Sequence, residues 1–164
     1  MPDLFTSTGA TFSPCRKYRY TLWRQWGAAP CCMFLMLNPS TADEIANDPT
    51  VERCERRARD WGYGGLMVCN IFAYRATDPR DMKAADDPIG PENDVAILDS
   101  AKRAGIVVCA WGNHGAHRNR DVDVRQMLRL ERIKLHYLKL AKTGQPCHPL
   151  YLPYTLSPIP WEGQ

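Results

Sequence analysis

Short, continuously apolar runs that end at turn residues form the clearest pattern in this chain. The most apolar of them, residues 31–37 (CCMFLML), carries no charge, has no helical period and stops at Asn38-Pro39. A run of this kind is typical of a strand that is buried on both faces of a sheet. Residues 66–69 and 106–111 have the same character and predict two further buried strands.

Two weaker strands are predicted beside these three. Residues 17–23 alternate basic with bulky side chains, which indicates an amphipathic strand with one wet face, paired with the strand at 31–37. Residues 133–137 alternate apolar residues with Lys134 and His136 and predict a fourth, less buried member of the main sheet. Residues 1–13 lack such a pattern and are expected to be a loose lead-in.

Helical periodicity begins after the first buried strand. Asp48 and Pro49 suit the N-cap and the first position of a helix, and apolar residues follow at helical spacing as far as Gly62. The arginines between Arg53 and Arg59 fall on the remaining faces of this helix. We expect them to form a solvated face.

Two more helices complete the alternation. They are expected over residues 91–105, with Val95 on the inner face, and over residues 121–130, whereas residues 81–90 are predicted to be a turn-rich loop. Strands that alternate with helices predict an α/β fold, here a three-layer α/β/α sandwich. Its central sheet is expected to be mainly parallel and four-stranded, with an N-terminal strand or hairpin added. Without a linker or repeat, residues 1–164 are predicted to be a single domain.

Composition narrows the class of protein. Among 164 residues, 45% are hydrophobic and 24% charged, as in ordinary globular proteins. No window reaches the roughly 18 apolar residues that span a bilayer. The N-terminal sequence lacks the basic and apolar regions of a signal peptide. We therefore expect a cytoplasmic protein that does not enter a membrane.

Cysteine placement argues against a metal site. Four of the seven cysteines lie inside apolar runs, where a free thiol behaves as a small hydrophobe. The other three are far apart in sequence and no CxxC pair occurs. The prediction is a set of reduced thiols, with no metal and no cofactor.

Positive charge is modest in total but unevenly placed. The formal net charge is +3, and arginines cluster early in the chain, along the first helix and near residue 118. Such clusters usually form solvated surfaces, although a phosphate backbone requires the same residues. Because Arg75 and Arg118 follow strand ends, they are the better candidates for phosphate contacts.

Polar elements follow the predicted strands at four places. They are Asn38-Pro39, Asn70, Gly112-Asn113-His114 and His148-Pro149. Ligands of open α/β sheets bind where the carboxyl ends of the strands meet. These elements are therefore expected to share one site.

The order and spacing of these elements resemble the uracil-DNA glycosylase superfamily from about residue 31 to residue 149. Residues 37–40 (LNPS) are similar to its G-I-N-P-G motif, whose asparagine positions the attacking water. Residues 70–79 (NIFAYRATDP) resemble its N-V-V-K-C-R-P-P stretch, whose asparagine pairs with the extruded base. His148-Pro149-Leu150 matches its H-P-S motif, whose histidine hydrogen-bonds the base carbonyl.

The chain resembles a second family more closely, but no activity is assigned to that family. The segments LNPSTAD, NDPTV, NIFAYRATDP, AWG and HPLY are similar to a bacterial family defined only as a domain of unknown function. Thr50 stands where characterised glycosylases have a stacking phenylalanine, and Leu150 replaces their serine. The thermophilic branches of the superfamily carry four cysteines for an iron–sulfur cluster, and this chain lacks that set. These departures bear on uracil as the substrate more than on the fold.

The chemistry of N-glycosidic cleavage suggests roles for these residues. The transition state is oxocarbenium-like, so an enzyme must place a water molecule and stabilise the departing base. Asn38 can hold the water, and His148 can donate a hydrogen bond to a base oxygen. Asp43 or Asp48 can supply a carboxylate. Asn70 offers both a donor and an acceptor to the edge of a base.

Further contacts are expected around the reacting base. Pro39 would lie beside it, and Phe72 and Tyr74 would stack on it, although aromatics after a buried strand more often belong to the core. The expected partner is DNA, bound by a monomer with the target nucleotide flipped out of the helix. The candidate DNA-phosphate contacts are Ser40, Thr41, Arg75, Asn113, His114 and Arg118.

The function that the resemblance implies is that of a monofunctional DNA glycosylase. It would remove a damaged or modified base, including a hypermodified base of phage DNA, in repair or in phage defence. Two alternatives remain open. One is a non-catalytic nucleic-acid or nucleotide-binding module on the same fold, and the other is a hydrolase of free nucleosides or nucleotides.

Overall fold

The computed structural model describes residues 7–162, which contain seven strands and four α-helices. The strands are β1 (Ser7–Phe12), β2 (Arg19–Gln25), β3 (Cys31–Met36), β4 (Gly65–Asn70), β5 (Ile106–Cys109), β6 (Leu135–Tyr137) and β7 (Ile159–Pro160). The helices are α1 (Pro49–Asp60), α2 (Pro79–Ala84), α3 (Asn93–Arg103) and α4 (Arg120–Leu130). Within the described range, none of the helices is long and apolar enough to cross a membrane.

The strands form one mixed sheet in the order β1-β2-β4-β3-β5-β6-β7. The central strands β4, β3, β5 and β6 run parallel to one another, whereas antiparallel strands are added at both edges. The α/β class is as predicted, but the sheet is mixed and has seven strands, more than the predicted four with an added N-terminal strand or hairpin. β2 was expected to pair with β3 but pairs with β4 instead. Both edges of β3 are already occupied, by β4 on one side and β5 on the other.

Strand β1 lies in the segment that was predicted to be a loose lead-in, of which residues 1–6 lie outside the described residues. It pairs with β2 along its whole length. Gly9 lies against the ring of Trp23, and a Cβ at this position would collide with the indole. The prediction failed because cross-strand pairing and this glycine contact, rather than an apolar run, hold β1 in place.

Helices cover both faces of the sheet. Alternate residues of β3 point to opposite faces, so Met33 and Leu35 pack with α3 and α4 while Phe34 packs with α1. β3 is buried almost throughout, as its apolar sequence predicted. Its carboxyl end therefore emerges between helix layers, beside the ends of its parallel neighbours β4 and β5.

Helix α1 begins as predicted. Asp48 is its N-cap, with a carboxylate oxygen that accepts the N–H of Val51 at 2.9 Å. Pro49 occupies the first turn, and Gly62 follows the helix with a φ of 84°. The expectation of a solvated arginine face is wrong for Arg57, which is only 1% exposed because the C-terminal segment covers it.

Two other elements differ from the prediction. Helix α2 replaces the start of the predicted loop at residues 81–90, because Met82 packs into the core and holds the segment in a helical turn. Helix α3 lies where it was predicted, but Val95 is 72% exposed. The helix instead buries Ile97 and Ala101, which lie four residues apart on one face.

Candidate functional site

A cavity of about 470 Å³ opens at the carboxyl ends of β3, β4 and β5. Asn38, Asn70 and His148, which come from three distant parts of the chain, line it together. This is the convergence that the polar strand ends predicted. Other predicted site residues that line the cavity are Pro39, Ser40, Asp48, Asn113 and His114.

Asp43 and Thr41 do not line the cavity, although both were predicted site residues. The Asp43 carboxylate accepts the N–H groups of Ala46 and Ile45 at 2.8 and 2.9 Å. These two bonds lower the pKa of Asp43 and commit its side chain to a local turn. Thr41 is exposed on the same loop. The predicted role of Asp43 as the site carboxylate is therefore not supported by its position.

The two aromatic residues predicted to stack on a base also lie elsewhere. Phe72 is fully buried and packs against the ring of His117, with ring centres 5.7 Å apart. Tyr74 packs edge-on against Tyr18 at 6.0 Å. Both side chains follow β4, and the chain turns them into internal contacts instead of toward the cavity.

The arginines predicted to contact phosphate hold surface loops together. Arg75 donates to the carbonyl of Arg16 at 3.2 Å, and its guanidinium lies 4.9 Å from the Phe12 ring centre. Arg118 donates to the carbonyl of Asp86 at 3.2 Å. Neither side chain lines the cavity. Their position after strand ends was not sufficient to predict their direction.

The side-chain amide of Asn38 has a defined orientation. Its Nδ2 donates to the carbonyl oxygens of Ala76 at 2.7 Å and Pro39 at 3.3 Å. Because both partners are acceptors, the nitrogen must face them, and Oδ1 remains available to a ligand or a water molecule. Asn38 thus presents an acceptor to the cavity.

The side-chain amide of Asn70 is oriented in the opposite sense. Asn70 is 1% exposed, and its Oδ1 accepts a hydrogen bond from Nη2 of Arg19 at 3.2 Å. Its Nδ2 therefore remains as the group available to a ligand. Asn70 was expected to offer both a donor and an acceptor to a base, and of the two it is the acceptor that already takes a hydrogen bond from Arg19.

Buried side chains hold the backbone at the end of β4. Asn93 donates to the carbonyls of Asn70 at 2.8 Å and Ile71 at 3.2 Å. Arg120 donates to the Ile71 carbonyl at 2.7 Å and pairs with Asp94 at 2.6 Å. These bonds satisfy carbonyl groups that leave the sheet at the cavity. They fix the position from which the Asn70 side chain extends.

Arg19 is a cavity residue that the sequence did not indicate. Its Nη1 donates to the Ala42 carbonyl at 3.1 Å, in addition to the bond from Nη2 to Asn70. Burial lowers the pKa of Arg19 to about 10, so it remains a cation at neutral pH. Asp48 accepts the N–H of Ala42 at 3.4 Å, so the two side chains hold the two peptide groups on either side of this one residue.

Strand β2 carries a second buried arginine, Arg24, which donates to the Asp43 carbonyl at 2.7 Å. A sequence signal exists for Arg24, because it follows Tyr20 and Leu22 at the two-residue period of the apolar face. Strict alternation would place Arg19 on the opposite face, where a basic residue is unremarkable, but a register shift in the β1–β2 pairing breaks the alternation at Tyr20. The predicted wet face was therefore wrong for Arg19, and only the structure reveals its partners.

Both carboxylate oxygens of Asp48 are engaged by the backbone. One carboxylate oxygen accepts the Val51 N–H at 2.9 Å, and the other accepts the Ala42 N–H at 3.4 Å. Asp48 is 8% exposed and is the only carboxylate among the residues that line the cavity in the described part of the chain. Its main effects are to cap α1 and to order the loop that follows β3.

His148 presents a neutral ring to the cavity. Its Nδ1 accepts the N–H of Leu150 at 3.2 Å, which places the proton of the neutral ring on Nε2. Burial lowers the pKa of His148, and the charge of Asp48 opposes that shift only in part. At neutral pH the ring is therefore uncharged and can donate a hydrogen bond through Nε2.

His148 begins a segment, residues 148–154, that we name the histidine loop. Arg57 of α1 donates to the carbonyls of Leu152 at 2.7 Å and Pro153 at 3.2 Å in this loop. Its guanidinium also lies 4.7 Å from the ring centre of Tyr154. One buried arginine on α1 thus connects the helix that starts at the cavity with the loop that carries the histidine.

The segment after β5 forms the remaining side of the cavity. The indole nitrogen of Trp111 donates to Gln145 at 2.8 Å, and Asn113 accepts from Thr143 at 2.5 Å. Between them, Gly112 has a φ of 73°, a conformation that favours glycine. Trp111 supplies part of the apolar surface of the cavity.

The described residues contain no group of three or more histidine, cysteine, aspartate or glutamate side chains that could hold a metal ion. All seven cysteines are free. Burial raises the pKa of Cys69 to about 11, which disfavours the thiolate that a metal would require.

Comparisons with known proteins give a family but no activity. Neither the curated proteins nor the solved structures compared with this chain gave a match. The model of a family described as "Protein of unknown function (DUF1643)" matches residues 19–150, a range that contains every residue lining the cavity. The chain therefore belongs to the DUF1643 family.

Proposed function

We propose that this protein is a DNA glycosylase that hydrolyses the N-glycosidic bond of a damaged or modified base flipped from DNA. The observation that carries the proposal is the meeting of Asn38, Asn70 and His148 around one cavity. Its volume of about 470 Å³ lies in the range of small-molecule sites. A base that reacts outside the helix requires an enclosing pocket of this kind.

Asn38 is the residue that we assign to the attacking water. Its Nδ2 is held by the Ala76 carbonyl, so its Oδ1 can accept a hydrogen from a water molecule and orient a lone pair toward the sugar. An amide is a weak base. This arrangement suits a reaction in which the glycosidic bond breaks early and water attacks an oxocarbenium-like sugar.

His148 is the residue that we assign to the leaving base. Negative charge builds on the base oxygens as the glycosidic bond breaks, and a fixed donor stabilises that charge without reorganisation. The bond from Leu150 to Nδ1 leaves the Nε2–H for this purpose. A neutral imidazole donates this hydrogen bond without first having to lose or gain a proton.

Asn70 and the cavity rim are assigned to binding. The Nδ2 group of Asn70 would contact the edge of the base, with Trp111 and Pro39 contributing apolar surface. Ser40, Asn113 and His114 line the same cavity and provide polar groups for DNA phosphates. We infer further that the four parallel central strands, with helices on both faces, represent a uracil-DNA glycosylase-like fold.

A second candidate function is a nucleotide-binding module without catalysis. The specific observation in its favour is that both oxygens of Asp48, the only carboxylate among the described cavity residues, accept backbone N–H groups. A site without a free carboxylate can bind a base and still lack a strong general base. The two functions differ in whether binding leads to an abasic site.

Excision assays test the proposal. The protein is incubated with single- and double-stranded oligonucleotides that each carry one modified base, and abasic sites are detected as strand breaks after alkali. We expect the wild type to excise one class of base. Asn38→Ala should lower the rate of that excision about 10²- to 10³-fold. Gln126→Ala, an exposed amide of α4 outside the cavity, is the matched control and should leave the rate unchanged.

The remaining outcomes separate the alternatives. If no base is excised while the folded protein is in excess, the glycosylase proposal is wrong. Salt-dependent DNA binding that is unaffected by Asn38→Ala would then identify the binding module. Activity on mononucleosides alone would identify a hydrolase of free ligands.

A further inference from the structure

Arg19 and Asn70 form a buried pair at the inner side of the cavity. Arg19 is 2% exposed and Asn70 is 1% exposed, yet both line the cavity. The guanidinium donates to Oδ1 of Asn70 at 3.2 Å and to the Ala42 carbonyl at 3.1 Å. The Ala42 carbonyl therefore holds the guanidinium in place next to Asn70.

This pair determines which end of the Asn70 amide a ligand meets. A side-chain amide has an acceptor end and a donor end that are almost equal in size, so rotation by half a turn exchanges them. Arg19 carries only donors, and it can be matched only by Oδ1. Rotation would bring the Asn70 N–H groups against the guanidinium and deprive a buried cation of one of its two acceptors, which is costly.

Asn38 gives an internal comparison for this argument. Its amide is held in the opposite sense by the Ala76 carbonyl at 2.7 Å, so it presents Oδ1. The cavity therefore contains two asparagines with opposite free ends, and each amide is held by a neighbouring cavity residue. Only the partner of Asn70 is a side chain and can be altered by substitution.

We propose that Arg19 is a specificity-determining positioning residue, which fixes the Asn70 amide so that its N–H groups face the bound base. The inference rests on the proposed function in one respect, namely that the ligand is a nucleobase. It follows that the edge next to Asn70 must carry an acceptor, such as an oxo group, and not an exocyclic amino group. An amino group would face the N–H groups of Asn70 and leave donors unpaired.

Strand β2 supplies a matched control. Arg24 is also buried, at 3% exposure, and holds the loop after β3 through the carbonyl of Asp43 at 2.7 Å and the side chain of Asn47 at 2.9 Å. It neither lines the cavity nor contacts Asn70. Loss of Arg24 reports the structural cost of removing a buried arginine from β2 without disturbing the amide.

The test measures binding selectivity rather than turnover. The probes are the 2′-fluoro-2′-deoxynucleosides of uracil and cytosine, and of hypoxanthine and adenine, which differ within each pair by an oxo or an amino group. The fluorine withdraws electrons from the sugar and slows cleavage through an oxocarbenium-like state. Dissociation constants are measured by titration for the wild type, Arg19→Met, Arg19→Lys, Asn70→Ala and Arg24→Met, with folding checked by thermal unfolding.

The wild type is expected to bind the oxo member of at least one pair about tenfold or more tightly, the scale of one well-formed base contact. Arg19→Met should reduce that ratio to within about threefold, and Arg24→Met should leave it unchanged. Arg19→Lys, which keeps the charge but lacks the planar fork of the guanidinium, should give an intermediate ratio. The double variant Arg19→Met/Asn70→Ala is titrated in the same way. Its binding ratio should fall as far as that of Asn70→Ala alone, because Arg19 acts through Asn70.

Three results would overturn the inference. They are an unchanged ratio in folded Arg19→Met, a wild-type preference for amino bases, and binding of none of the four nucleosides. If Arg19→Met does not fold, the ratio in Arg19→Lys decides. Excision is measured in a separate assay. If the wild type prefers oxo bases through Arg19 but forms no abasic sites, the glycosylase proposal is refuted while the role of Arg19 is supported.

Discussion

The two sides of the cavity are built in different ways. On the amide side, the buried residues Asn93 and Arg120 hold the backbone at Asn70 through hydrogen bonds of 2.7–3.2 Å. That backbone in turn bonds the end of β3, from which Asn38 extends. His148 instead begins a loop whose carbonyls are held by the single side chain of Arg57. Substitution of the buried residues that brace the backbone at Asn70 should therefore reduce stability. Substitutions in the histidine loop should mainly reduce activity.

The largest expected effect is on excision after loss of the His148 donor. His148→Phe keeps a ring in place but removes the Nε2–H, and we expect excision to fall about 10²- to 10³-fold. The free energy of unfolding should change by only about 1 kcal/mol, the value of the bond between Nδ1 and the Leu150 N–H. Single-turnover excision and urea unfolding measure the two quantities.

His136→Phe is the control for this substitution, because His136 lies on β6 and does not line the cavity. It should leave the excision rate at the wild-type value. If His148→Phe lowers stability by several kcal/mol instead, the histidine loop belongs to the folding core and the contrast between the two sides fails.

The next effect is a loss of stability on the amide side. Asn93→Ala removes donors from the buried carbonyls of Asn70 and Ile71, and an unsatisfied buried acceptor costs about 1–3 kcal/mol. We expect urea unfolding to show a loss in this range. Gln126→Ala, on an exposed position of α4, should change stability by less than about 0.5 kcal/mol. Equal stability of the two variants would contradict the proposed bracing of β4.

A smaller effect is expected from Arg57→Lys. Lysine keeps the charge but lacks the planar fork that contacts the carbonyls of Leu152 and Pro153 together. We expect about a tenfold decrease in excision, because a misplaced hydrogen-bond donor is less effective in the transition state. The acid limb of the pH–rate profile should also move toward the ordinary histidine pKa as water reaches His148.

Arg56→Lys is the matched control for that variant. Arg56 also lies over the Tyr154 ring, at 4.0 Å, but no hydrogen bond joins it to the loop carbonyls in the described residues. Its excision rate and its pH profile should match those of the wild type. If both lysine variants behave alike, the carbonyl contacts of Arg57 do not position His148.

The polar residues at the strand ends could be predicted from the sequence, whereas the contacts that orient their side chains could not. Asn38 and Asn70 follow β3 and β4, and the parallel pairing of these strands brings the two amides together. His148 reaches the same cavity from the loop that follows β6. The meeting of the two amides needs only the local pattern and the geometry of parallel sheets. The direction of each amide depends on partners that no local pattern identifies.

The supporting arginines illustrate this limit. Arg19 bonds to Asn70 across 51 positions of sequence, and Arg57 bonds to Leu152 across 95. In both cases an arginine on a strand or helix that resembles a solvated face is buried by a distant segment. Phe72 shows the reverse error, because its place after a buried strand could not distinguish a stacking platform from a core residue.

The smallest expected effect is the pH dependence of stability at His148. Burial lowers its pKa in the folded state, whereas the unfolded chain has the ordinary value of about 6.5. Between those two values the unfolded state binds more protons, so stability is complete above about pH 6.5 and falls as the pH decreases through the folded pKa. His117, whose pKa is lowered mainly by burial and further by Arg118, contributes with the same sign. Unfolding temperatures between about pH 7.5 and 5.5 should therefore fall less steeply in His148→Phe than in the wild type, and equal slopes would mean that the ring is not desolvated at the cavity.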